Sequence, residues 1–112
     1  MKAKRLLIIL ALIMPFIGGI SNLYASNDRG VVVYEARSDY YVIETDSYDY
    51  VIVEVYSGSL YEGDILYGNF TSYGFQYCYN QYDRKIRIYI EDWGLTKSSA
   101  IRWLENHDKI RD

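Results

Sequence analysis

From Val31 to Glu91 the chain alternates apolar and polar side chains with a period of two. Alternate side chains of a β-strand point to opposite faces, so this pattern restricts the segment to half-buried strands. The cleanest example is Lys85-Ile86-Arg87-Ile88-Tyr89-Ile90-Glu91. Ile86, Ile88 and Ile90 are expected to face a core, with Lys85, Arg87, Tyr89 and Glu91 facing out. A near-duplication adds a second constraint. Asp39-Tyr40-Tyr41-Val42-Ile43-Glu44 recurs ten residues later as Asp49-Tyr50-Val51-Ile52-Val53-Glu54. Two short copies suit neighbouring strands of a hairpin, turned at Asp46-Ser47-Tyr48, better than a solenoid. In the second copy Val51, Val53 and Val55 share the expected core face. Tyr50, Ile52, Glu54 and Tyr56 share the other, which should be at least partly wet.

Val31 to Glu35 makes a first strand, Ile65 to Phe70 another, and Phe75 to Asn80 a return strand. Turns fall at Ser57-Gly58-Ser59, at Glu62-Gly63-Asp64 and between Thr71 and Gly74. Gly68, inside a strand, suggests a bulge or sharp bend. After Glu91 the period changes. Ala100, Ile101 and Leu104 fall on one helical face, which predicts a helix near 98–107 capped by Thr96 or Ser98. Trp103 or Leu104 should pack it over an open end or edge of the sheet. The expected fold is mainly β: a small antiparallel barrel or strongly curled sheet of 5–6 strands with one C-terminal helix. Its shape would be SH3-like or OB-like.

The first 25 residues belong to a different plan. Lys2, Lys4 and Arg5 precede a run from Leu6 to Ile20 that is almost wholly apolar, and Ala25 offers a small residue for cleavage. A basic head, apolar core and small exit residue describe a secretory signal peptide. The run is shorter than the ~20 residues of a spanning helix, and no cysteine stands at the exit to carry a lipid. A soluble, periplasmic or extracellular domain is expected over 31–112, after a loose leader at 26–30, with no membrane span after cleavage. Loss of Lys2, Lys4 and Arg5 reduces 12 basic residues to 9 against 15 acidic, a net charge of −6. Such a domain is a poor ligand for nucleic acid.

Tyrosine is the compositional oddity. Of 14, only Tyr24 falls in the first 25 residues, leaving 13 for the domain. Tyrosine supplies apolar area with a hydrogen-bonding tip, as binding surfaces need, and it also favours strands for their own sake. Tyr50, Tyr56, Tyr77, Tyr79 and Tyr89 are the candidate contact residues for a protein or glycan partner. Two other functions fit the composition: an inhibitor of a secreted enzyme, presenting Ser57 to Asp64 as a rigid loop, and a small hydrolase using Glu62, Asp64 or Asp92. No metal or cofactor is expected. His107 stands alone, no phosphate-cradling glycine loop occurs, and the acid spacings do not match a calcium loop. The lone Cys78 suits a buried apolar position, with an intermolecular disulfide as the alternative. Asn69-Phe70-Thr71 fits a glycosylation sequon, which matters only in a host that glycosylates exported chains.

Overall fold

The structure is a computed structural model and describes residues 28–111. The expected signal peptide and its cleavage point lie outside the described residues. Within them the chain forms β1 (Asp28–Glu35), β2 (Tyr40–Thr45), β3 (Tyr50–Ser57), β4 (Ile65–Gly68), β5 (Gly74–Asn80), β6 (Lys85–Leu95) and helix α1 (Lys97–Asn106). All neighbouring strands run antiparallel and close a barrel in the order β1-β2-β3-β6-β5-β4. The two near-identical segments are indeed neighbours, with Tyr40 opposite Glu54 and Glu44 opposite Tyr50.

The inward faces follow the alternation. Val51, Val53, Ile86, Ile88 and Ile90 join Val32, Ile43, Leu66 and Cys78 in one continuous barrel core. β3 and β4 lie on opposite sides of the closed ring, so the segment joining them must cross one mouth of the barrel. It does so with Leu60 turned inward, 2% exposed, as a plug. Backbone bonds from Gly63 N to the Val32 carbonyl (2.8 Å) and from Val32 N to the Asp64 carbonyl (2.9 Å) fasten it there.

β1 begins at Asp28, ahead of the Val31 start that hydropathy suggests. Asp28 to Val31 pair with β4 and close the barrel. Polar Asp28 and Arg29 and side-chain-free Gly30 carry no apolar signal, because their contribution is backbone pairing. Gly30 is also a packing requirement, since a Cβ there would stand 2.5 Å from Ile43 Cγ2. Gly68 likewise marks close approach. The ladder passes through it without a register shift, opposite Cys78, and a Cβ there would lie 2.9 Å from the Cys78 Cβ. The irregularities fall instead in β1, between Val32 and Tyr34, and along the β3–β6 ladder.

The helix is the largest departure from expectation. It covers the outer face of β1–β3 rather than an open end. Ala100 and Leu104 pack on Val33, Val42, Tyr50 and Ile52, which makes a second core outside the barrel wall. The β1 irregularity assists, since Val33 and Tyr34 both join this outer core. Thr96 caps the helix, accepting from Ser99 N at 3.1 Å. His107 closes its other end: Nδ1 donates to the Trp103 carbonyl at 2.7 Å, and the imidazole stacks on the Trp103 indole. Beyond it, Arg37 N donates to the Lys109 carbonyl and Arg111 N to Tyr34 Oη, which straps the chain along β1. No helix of the described residues is long and apolar enough to cross a membrane.

Cys78 is fully buried, and burial pushes its thiol up to about 12. A thiolate is needed for attack, so this sulfur is inert while the barrel is closed. Ellman's reagent at pH 8 should leave the native thiol unmodified and titrate it fully in denaturant; rapid native labelling would show that the wall opens. The unfolded thiol ionises near its ordinary value of 9.0 and the folded one near 12, so this contribution to stability is complete below pH 9 and lost as pH rises between them.

Candidate aromatic contact face and end cleft

The helix divides the outer surface of the barrel in two. Over β1–β3 it buries the wall, whereas the outer faces of β5, β6 and the end of β3 stay open. The register sets what stands there. Phe75 lies opposite Tyr89, which lies opposite Glu54; Tyr77 lies opposite Arg87, and Tyr79 opposite Lys85. Tyr56, Phe75 and Tyr89 meet as one aromatic knot. Phe75 sits edge-on to both tyrosines at centroid distances of 4.9 Å, and Tyr56 and Tyr89 are 6.4 Å apart. Tyr56, Phe75 and Tyr77 remain 53%, 47% and 54% exposed. Two cations lie on this surface, Arg87 at 4.2 Å over the Phe75 ring and Lys85 at 4.3 Å over the Tyr77 ring. Glu54 raises the Tyr56 phenol above its ordinary value.

Four of the five tyrosines singled out from sequence stand on this surface. Tyr56 and Tyr77 are exposed, and Tyr79 and Tyr89 half-buried. Tyr50 does not join them. It is 4% exposed beneath α1, donates to Glu44 Oε2 at 2.8 Å, and is raised well above the ordinary phenol value by burial first and then by that carboxylate. The face shared by Tyr50, Ile52, Glu54 and Tyr56 is therefore split, dry under the helix and wet beyond it. Period-two patterning cannot distinguish a face that meets water from one that meets a later helix. Phe75 was missed as a contact residue, although it precedes Tyr77 and Tyr79 at strand spacing and that signal was present. Arg87 and Lys85 were legible as outward-facing but not as partners of rings across a strand pair.

The candidate catalytic acids are dispersed into structural bonds. Glu62 accepts from Glu35 N at 2.8 Å and pairs with Arg111 at 3.5 Å. Asp64 accepts from Tyr61 N at 2.9 Å and from Gln81 Nε2 at 3.2 Å. Asp92 accepts from Tyr73 Oη and Trp93 N. The segment from Ser57 to Asp64 folds back on the barrel through Leu60, leaving Tyr61 at its crest. Among the described residues no cluster of three or more His, Cys, Asp or Glu could hold a metal ion. Asn69 is exposed and accepts from Thr71 N and Oγ1 in a local turn.

At the same mouth of the barrel lies a cleft of about 660 Å³ between the β3–β4 segment and the β5–β6 turn. Its lining includes the exposed rings of Tyr61 and Tyr82, the buried Asp64 and Asn80, which we take as its floor, and the exposed Arg84 and Lys85, which we take as its rim. Comparison with known protein families, with curated proteins and with solved structures finds no match to this chain.

Proposed function

We propose that this chain is an exported binding module whose open β3-β6-β5 face docks a protein partner. The observation that carries this is the aromatic knot of Tyr56, Phe75 and Tyr89 on a sheet whose other large outer face is covered. Binding energy at protein interfaces concentrates in aromatic and arginine side chains held in place before contact. Here the rings are held by each other and by paired strands, so little side-chain entropy remains to be lost.

Geometry favours a protein over a glycan on this face. Sugar stacking needs an open ring face. Phe75 and Tyr77 have theirs covered by Arg87 and Lys85, and Phe75 packs edge-on to its neighbours. The result is a ridge of rings bearing two cations, which suits an apolar groove bordered by carboxylates. An export signal at the N-terminus, as its composition suggests, would put that partner outside the cytoplasm.

The test is a joint Tyr56→Ala and Tyr89→Ala variant. Both side chains stand outside the barrel core, so the melting temperature should change little. Partners retained by the wild-type protein from exported material should be identified and their affinities measured. Loss of even one aromatic contact of hot-spot strength predicts at least about 30-fold weaker binding. Retention of the same partners with unchanged affinity would remove this face from the interface.

A further inference from the structure

The end cleft is a different kind of surface from the aromatic ridge, and its chemistry is that of a small-ligand site. We infer that it binds a single pyranose residue bearing a carboxylate, that is, a uronic-acid-type sugar. It does not depend on the protein-docking face, with which it shares only Lys85.

Tyr61 and Tyr82 are 65% and 72% exposed, and neither has a ring or cation laid over it among the described residues. Both rise from backbone that is held. Tyr61 N donates to Asp64 Oδ2, and Asp64 N to the Tyr61 carbonyl. Tyr82 N donates to Asn80 Oδ1, and Asn80 N to the Arg84 carbonyl. Free aromatic faces are electron-rich and take the C–H face of a sugar ring.

The floor holds two polar residues that are largely buried, one a donor and one an acceptor. Asn80 and Asp64 are each 8% exposed. Asn80 Oδ1 accepts from both Tyr82 N and Arg84 N, which fixes the orientation of the amide. Its Nδ2 is left with no hydrogen-bond partner among the described residues. Asp64 accepts one bond at each oxygen, and a carboxylate oxygen has capacity for another. Neighbouring sugar hydroxyls, each both donor and acceptor, match such a pair. A bare anion does not, because Asp64 would repel it from the floor.

The rim supplies the charge. Among the described residues Arg29, Arg37 and Arg111 each pair with a carboxylate, whereas Arg84, like Arg87 and Arg102, forms no ion pair there, and of these three only Arg84 lines the cleft. Arg84 thus offers a cation beside a hydroxyl-binding floor, with Lys85, whose ammonium lies over Tyr77, next to it in the chain. A ligand satisfying both needs hydroxyl groups at one edge and a single negative group at the other. The volume lies within the usual range of ligand pockets, roughly 300–1,000 Å³.

The test is an amide-resolved NMR titration of the purified protein, expressed from the full chain, with glucuronate, glucose, inorganic phosphate and a short aspartate-rich peptide. Glucuronate should shift Tyr61, Asp64, Tyr82 and Arg84 saturably, with a Kd on the order of 1 mM for so small a ligand. Glucose should bind about tenfold more weakly through the walls and floor alone. Arg84→Gln should bring glucuronate down to the level of glucose and leave glucose unchanged. Joint Tyr61→Ala and Tyr82→Ala substitution should abolish both, with the melt preserved. Absence of saturable glucuronate shifts, phosphate or peptide binding as strong as glucuronate, or an unchanged Arg84→Gln variant would each overturn the assignment.

Discussion

Ile88→Asp should leave no cooperatively folded domain at 25 °C. Ile88 is 0% exposed, sits inside the barrel, and lies between Val55 on β3 and Gln76 on β5. The substitution removes one of the larger core side chains and puts a carboxylate among the apolar side chains of the barrel core. A buried aliphatic truncation alone costs about 2–5 kcal/mol, and an unpaired buried charge adds several more. A small domain has only about 5–15 kcal/mol in total, and less of its surface is buried than in a larger one. Circular dichroism and a thermal melt decide the matter. A cooperative melt near the wild-type temperature would mean that Ile88 does not face the core.

Leu104→Ala should be the most damaging single truncation in the helix. Leu104 is 0% exposed and lies with Ala100 on Val33, Tyr50 and Ile52. A helix of this length does not persist on its own in water, so its docking residue also determines whether it forms. The expected loss is about 2–5 kcal/mol. For a domain of this size that lowers the melting temperature by roughly 10 °C or more. Helical ellipticity should fall in the same transition, and Tyr50 should become accessible. A wild-type melt with the helical signal lost would show the helix to be peripheral to stability. The prediction also separates the two faces, because partner binding through Tyr56, Phe75 and Tyr89 should survive in any fraction that stays folded.

How far the chain was legible depends on whether a residue's role is set by its own strand or by a distant one. Ile86, Ile88 and Ile90 were readable as core because alternation within β6 alone decides which way they point. The hairpin of β2 and β3 was readable because its turn and both strands are local. Tyr50 was not, since its burial depends on a helix nearly fifty residues later in the chain. Leu60 was hidden in a turn-like stretch because only the β3-to-β4 crossing brings it into the barrel mouth. Of the contact face, the tyrosines were visible as outward positions. The joining of Tyr56 to Phe75 was not, because β3 and β5 meet only through β6.

Local alternation and turn chemistry thus settle the strand content, the inward residues and the capped helix, because backbone geometry ties side-chain direction to position along a strand. The long-range pairing of β1 with β4 and of β3 with β6 decides everything else: closure of the barrel, the plug at its mouth and the wall the helix covers. Closure leaves two outer surfaces and only one helix to bury them. The tyrosine that meets the helix becomes core, and those beyond it stay in water, where a partner can reach them.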